Sequence, residues 1–195
     1  QAYREVLRMI LTLDVETTSV KHNGGNDPSP YVEGNQLVSI GYKEDDKPVE
    51  YVWFYHADRQ PTENNMKIVQ EVLDRTDVLL GHNIKFDLQW LFASGFEYSG
   101  AVYDTMVFDY VWARGVKVPL SLDECCRRHQ TVTKKKKDIL EKYLKDGYGF
   151  DMIPHEIVEE YGIADVQSTY EVAVSQAKQE GKSIEQIAAY NVPVF

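Results

Sequence analysis

The stretch Met9-Ile10-Leu11-Thr12-Leu13-Asp14-Val15-Glu16-Thr17-Thr18 decides how the rest of the chain is read. Its first seven residues, Met9 to Val15, alternate and are β-prone, so they form a core strand ending at an acidic pair. Residues two apart on a strand share a face, which points Asp14 and Glu16 the same way. Two ionised carboxylates ~4 Å apart repel by about 4 kcal/mol at an effective dielectric of 20. A fold that sets such a pair at the end of a core strand usually needs a cation there. Taken alone, the pair fits a solvated strand end somewhat better than a cation site, so the rest of the chain must decide.

Working outward, Lys21 to Pro30 (KHNGGNDPSP) reads as a polar Gly/Pro loop. Leu37 to Tyr42 and Val49 to Tyr55 read as two more strands of a meander. Thr62 opens a helix whose apolar face is Met66, Ile68, Val69, Val72 and Leu73. Val78 to Leu80 is a short buried strand, followed by a helix from near Lys85 to about Ala93, stopped by Gly95. Tyr103 ends a further short strand, and Thr105 to Ala113 is a helix. Ser121 caps a helix through Cys125. Pro154 sits early in a long helix to about Gln179, which Gly181 ends. Ser183 caps a last helix, broken before Pro193. Three strands, then alternating helix and strand, then helices make an α/β domain with a mixed central sheet. Residues 1–195 are expected to be a single domain, with no internal repeat or linker.

The chain has 195 residues, enough to bury a real core, and 43% of them are hydrophobic, which excludes a disordered chain. No apolar run approaches the ~18 residues of a membrane span. Gln1 to Met9 is polar and mixed in charge, without the apolar run of a signal peptide. The start at Gln1 rather than Met is compatible with a piece of a longer product. Cys125 and Cys126 are adjacent and have no other cysteine to pair with, so reduced thiols in a cytoplasmic protein are expected. A formal net charge of -10 argues against a general nucleic-acid coat protein, because phosphate wants a basic face. It leaves room for an enzyme that holds metal ions on carboxylates and touches only a few nucleotides.

Two further segments carry chemistry. Gly81-His82-Asn83-Ile84-Lys85-Phe86-Asp87 leaves a short strand and enters a helix, at the kind of sheet edge where α/β proteins bind ligands. Asp87 falls in the first helical turn, where compensation of the helix N-terminus would also account for it. Tyr161-Gly162-Ile163-Ala164-Asp165 lies inside the long helix, and a spacing of four puts Tyr161 and Asp165 on one face. Gly162 and Ala164 are small enough to let a backbone or a substrate approach. That spacing alone is common and decides nothing.

The ordered set decides more. Asp-x-Glu on a strand, Asn-x-x-Phe-Asp at a strand-to-helix junction and Tyr-x-x-x-Asp on a late helix resemble the DEDD exonuclease superfamily in its tyrosine-bearing branch. The likeness is strongest to the proofreading domain of family-A DNA polymerases, phage ones especially. Tyr103-Asp104-Thr105-Met106, Ser121-Leu122-Asp123, Lys136-Lys137-Asp138 and Asp151-Met152-Ile153-Pro154 also resemble family segments. The resemblance runs from about Leu11 to Glu180. The sister branch carries His five residues before its last Asp, where this chain has Glu160, so the tyrosine branch is favoured.

The resemblance implies a ribonuclease-H-like fold and a metal-dependent 3′-5′ exonuclease. Asp14 would bridge two divalent metals, Glu16 and Asp165 would complete the first site, and Asp87 would hold the second, largely through water. Tyr161 would orient the attacking water. Thr17, His82 and Asn83 would contact the substrate, and Val20 falls where relatives wedge the last bases. Hard oxygen ligands favour Mg²⁺ or Mn²⁺ over zinc. Two such ions suit activation of water and stabilisation of a leaving 3′ oxygen.

The expected partner is a single-stranded DNA 3′ end, cut to nucleoside 5′-monophosphates, with a polymerase domain on the same or another chain and no membrane. The expected location is the cytoplasm, the bacterial host's if phage-encoded. The rivals are a ribonuclease D-like 3′-5′ exoribonuclease and a non-catalytic nucleic-acid-binding or interaction module that kept the fold. Among the remaining features, Lys134 to Lys137 reads as a solvated surface more readily than a DNA contact. Cys125 and Cys126 read as one core and one helix-surface residue, Asp104 and Asp109 as structural, and Trp90, Leu91 and Phe92 as packing.

Overall fold

A computed structural model describes residues 9–131 and 137–188. The alternation that starts at Met9 becomes β1 (Ile10–Thr17), which begins one residue later and ends two residues later than its pattern suggests. The supposed loop after it is a small hairpin, β2 (Val20–His22) and β3 (Gly25–Asp27). Asn23 and Gly24 make its two-residue turn with positive φ angles of 48° and 87°, the backbone that Asn-Gly supplies. The meander continues through β4 (Leu37–Glu44) and β5 (Glu50–Trp53).

The first helix, α1 (Asn65–Asp74), starts three residues after Thr62, whose hydroxyl bonds the Asn65 side chain. Val69, Val72 and Leu73 are its buried face, whereas Met66 and Ile68 are exposed. There follow β6 (Val78–Gly81), α2 (Ile84–Ala93), β7 (Ala101–Asp104) and α3 (Thr105–Trp112). In α2, Trp90 and Leu91 are buried as expected but Phe92 is half exposed, turned away from the sheet that its two neighbours cover.

The helix α4 (Leu122–His129) runs four residues past Cys125, and both Cys125 and Cys126 are buried, so neither is a surface residue. The helix α5 (Lys137–Lys145) has no counterpart in the sequence reading. The long α6 (His155–Gln179) begins directly after Pro154, and α7 (Ile184–Ala188) follows the left-handed Gly181. Gln1 to Arg8, Pro193 and Lys134 to Lys136 lie outside the described residues, and of Lys137 only the backbone is described.

The sheet has the order β5-β4-β1-β6-β7. β1 pairs antiparallel with β4 and parallel with β6, so the sheet is mixed, as expected. Because β1 is central it is buried on both faces. Leu11, Leu13 and Val15 pack with Val69, Val72 and Leu73 of α1 and Leu88 and Leu91 of α2. Ile10, on the opposite face, packs with Val78, Leu80 and Ala173 and Ala177 of α6. Each such Val, Leu or Ile side chain contributes roughly 1.5–3 kcal/mol by leaving water. Period two then dictates that Thr12, Asp14 and Glu16 look toward α6. No helix among the described residues is long and apolar enough to cross a membrane.

Candidate active site

The face of β1 that meets α6 changes from apolar to acidic along its length, from Ile10 to Asp14 and Glu16. The helix brings Asp165 onto that acidic end. Asp14, Glu16 and Asp165 each place a carboxylate oxygen within 4.8 Å of the other two, with Glu16 and Asp165 buried and Asp14 half-buried. Three carboxylates so close repel strongly unless a cation or protons compensate. All three offer hard oxygen donors with no thiol or imidazole among them, so the set fits a divalent ion of the Mg²⁺ or Mn²⁺ type.

Asp87 reaches the same end of β1 by another route. β6 pairs with β1 only from Ile10 to Thr12, then turns into α2. Beyond that point the Val15 amide on this side lacks a strand partner, and it donates instead to Asp87 Oδ1 at 3.0 Å. Burial pushes the Asp87 carboxyl well above the usual carboxylate range, and the charge of Asp14 pushes it further. Asp87 thus borders Asp14 while lying outside the trio.

Tyr161 is one turn before Asp165 on α6. Its ring packs beside Phe150, with centroids 6.0 Å apart, and against the cluster of Leu140, Ile153 and Val158. Burial, then the charges of Glu16 and Asp14, raise its phenol above the ordinary tyrosine range. The hydroxyl therefore keeps its proton at neutral pH and feels the same acidic pair that the trio uses.

A family model described as 3′-5′ exonuclease, of the DNA polymerase A type, matches residues 11–178. The chain belongs to the 3′-5′ exonuclease family. A comparison by sequence with curated proteins gives no significant match. Among solved structures, the exonuclease domain is similar to one described as the apo form of a nuclease, with a TM-score of 0.61 at 15% identity, covering 93% of this chain and 80% of that one. It is also similar to Brucella melitensis NrnC with bound Mg²⁺, with a TM-score of 0.58 at 16% identity over 96% and 83% of the two chains. A family B DNA polymerase from Pyrobaculum calidifontis gives a TM-score of 0.53 at 17% identity, covering 94% of this chain and 27% of the polymerase. At these identities the likeness is one of fold, and the fold is ribonuclease-H-like.

The exonuclease domain frames its acidic site with residues of several kinds. Thr17 is buried, at the point where the β1–β4 register shifts between Glu16 and Thr17. Asn83 is exposed and left-handed (φ 62°), a conformation that asparagine tolerates better than most residues. Its amide and that of Ile84 donate to the two oxygens of Asp104, at 3.0 and 3.1 Å. Asp104 also accepts from the amides of Met106 and Val107, so one carboxylate ties the start of α2 to the start of α3. His82 turns its ring into the protein: Nδ1 bonds Thr105 Oγ1 and Nε2 bonds the Leu120 carbonyl, each at 2.8 Å. Val20 lies in β2, its amide held by Asn35 Oδ1 at 2.8 Å.

Gly162 departs from its expectation of admitting a backbone or a substrate. The space beside it is filled by the ring of Tyr51, which a Cβ on Gly162 would meet at 2.5 Å. Tyr51 reads in the sequence only as one residue of a strand. Its nearness to the site depends on pairing across three strands, which a single sequence does not display.

Proposed function

We propose that this exonuclease domain hydrolyses single-stranded DNA from its 3′ end and releases nucleoside 5′-monophosphates. The observation that carries this is the convergence of carboxylate oxygens of Asp14, Glu16 and Asp165 within 4.8 Å of one another. Asp14, Glu16 and Asp165 would hold one divalent ion, and Asp87 together with Asp14 a second. Such ions, when bound, acidify water and neutralise the charge that develops on the phosphate and the leaving oxygen.

The other roles belong to the chain's own groups. Tyr161, a neutral phenol, orients the attacking water through its hydroxyl and is a poor general base. The water oxygen bonds to phosphorus, the bond from phosphorus to the 3′ oxygen breaks, and that oxygen leaves as the new 3′ hydroxyl of the shortened strand. Thr17 and the exposed Asn83 contact the terminal nucleotide. His82, with both nitrogens engaged by Thr105 and Leu120, shapes the strand-to-helix turn beneath it.

On this reading residues 1–195 form one exonuclease domain that edits for a polymerase domain on the same or another chain. The family match supports this. A second reading, trimming of RNA 3′ ends, uses the same carboxylates and tyrosine, so the site alone does not separate it from the first. The complete set of four carboxylates and a tyrosine counts against a non-catalytic module.

The test is digestion of matched single-stranded DNA and RNA carrying a 5′ label, in Mg²⁺. A ladder shortening from the 3′ end, faster on DNA, is expected. Faster loss of RNA would transfer the assignment to the second reading, and release of the 5′ label as a mononucleotide at the outset would contradict both.

A further inference from the structure

We propose that Tyr51 is a positioning residue whose ring sets how closely α6 lies against β1, and so how tightly Asp14, Glu16 and Asp165 grip a divalent cation. The inference rests on the reading of that trio as an ion site and goes beyond it in naming what fixes its spacing.

The argument starts from register. Asp14 stands opposite Gly41, and Gly41 stands opposite Tyr51. Directly opposed residues on paired strands share a face, so Asp14, Gly41 and Tyr51 form one row across β1, β4 and β5. Glu16 and Ser39 begin the next row on that face. Gly41, in the middle, leaves a gap where any other residue would put a side chain. Val166 of α6 and Tyr51 fill it: a Cβ on Gly41 would meet Val166 Cγ2 at 3.0 Å and Tyr51 Cδ2 at 3.2 Å.

The helix side answers the sheet side. A Cβ on Gly162 would meet Tyr51 Cε2 at 2.5 Å and its hydroxyl oxygen at 2.7 Å. The ring therefore bears on the helix backbone at the residue directly after Tyr161 and three before Asp165. Its hydroxyl is tied at 2.7 Å to the hydroxyl of Ser39, the residue opposite Glu16. It also donates to the Val158 carbonyl of α6 at 3.5 Å. Burial, then the charge of Glu16, with a smaller push from Asp14, raises the Tyr51 phenol well above its usual range, which places both carboxylates within electrostatic reach of the ring. A rigid ring wedged between two glycines, and pinned at its tip to both layers, acts as a spacer for the helix that carries Asp165.

A residue that served packing alone would alter stability without altering ion affinity. The discriminating experiment is a Mn²⁺ titration followed by melting temperature, on the wild type, Tyr51→Phe, Gly162→Ala, Gly162→Ala with Tyr51→Ala, and Asp14→Ala as control. Residues that orient metal ligands typically change affinity by about ten- to a hundredfold when altered, so Gly162→Ala is expected to raise the half-saturating Mn²⁺ by roughly tenfold or more. Adding Tyr51→Ala should recover part of that loss by removing the ring that the new methyl meets. Tyr51→Phe keeps the ring but frees its tip, and should raise the half-saturating concentration severalfold with little change in EDTA.

If the wild type itself shows no response to Mn²⁺, the ion-site reading fails and this inference falls with it. If the wild type responds, Asp14→Ala does not, and Tyr51→Phe and Gly162→Ala titrate as the wild type does, the ion site stands and the role of Tyr51 is overturned. Should Gly162→Ala not fold, Tyr51→Phe decides alone: a higher half-saturating concentration supports the inference, and an unchanged one overturns it.

Discussion

On the proposed reading Asp14 and Tyr161 serve one site through different chemistry, and single substitutions separate them. Asp14 supplies charge to the oxygen cluster, so Asp14→Ala should remove both ion binding and the stabilisation that depends on it. Electrostatic contributions of this kind are worth ~10² to 10³ or more in rate, and Asp165→Ala should behave alike. Tyr161 remains a neutral phenol because burial and the nearby Glu16 and Asp14 disfavour its anion. Tyr161→Phe removes only the hydroxyl, so a roughly ten- to hundredfold drop in kcat is expected, at or below the range of general acid–base effects. Metal-induced stabilisation should survive in Tyr161→Phe. The check is kcat on a short single-stranded oligonucleotide beside a Mn²⁺ melting titration, and loss of metal stabilisation in Tyr161→Phe would remove the role given to this tyrosine. At this scale the sequence is informative where period two or period four applies, as for Asp14 with Glu16 and Tyr161 with Asp165. It is silent on Tyr51, whose importance comes from facing Gly41 and Gly162 across separate elements.

At the scale of elements, α3, α4 and α6 are joined by a buried polar knot around Asp109. Arg128 Nη2 donates to Asp109 Oδ2 at 2.6 Å, while His129 Nε2 and Gln176 Nε2 donate to Oδ1 at 2.7 and 2.8 Å. Burial alone would raise the Asp109 carboxyl, but the hydrogen bonds from His129, Arg128 and Gln176 outweigh it and hold the group below the usual carboxylate range. A depressed folded-state pKa contributes stability that is complete above the unfolded value of about 4 and is lost as pH falls toward the folded one. Asp109→Asn should therefore destabilise the domain at pH 7 by about 3 kcal/mol, the scale for breaking a buried charged pair. It should also flatten the loss of stability below about pH 4. Denaturant melts of both proteins from pH 7 to pH 3 test this, and parallel curves would contradict it.

Asp109 and Asp104 were legible as structural, but not which helices they join. Element existence was legible where apolar period was strong, as in β1 and α6. The hairpin of β2 and β3 escaped because its flanks are polar, although Asn23-Gly24 is itself a turn signal. The exposed Met66 and Ile68 show that apolar residues near a helix face are not all inside it.

For the molecule as a whole, the α/β class and mixed sheet follow from the order of strands and helices along the chain. Which strands become neighbours does not, because the crossover that sets β6 beside β1 is long in sequence. That crossover, and the return of α6 over β1, turn three separated motifs into one acidic site. A chain of net charge -10 has little long-range attraction for a polyanion, so binding should be short-ranged and centred on the ions. On the proposed reading a paired end must melt before its 3′ terminus can enter, so mismatched and single-stranded ends should be cut faster than paired ones, and a 3′-phosphate should inhibit.

The most direct test is digestion of a 5′-labelled single-stranded oligonucleotide by protein stripped of metal, then given Mg²⁺, with Asp14→Ala alongside. The account predicts no shortening in excess EDTA, stepwise loss from the 3′ end once Mg²⁺ is restored, and almost none with Asp14→Ala. Full activity in EDTA, or cutting of a closed single-stranded circle, would contradict it.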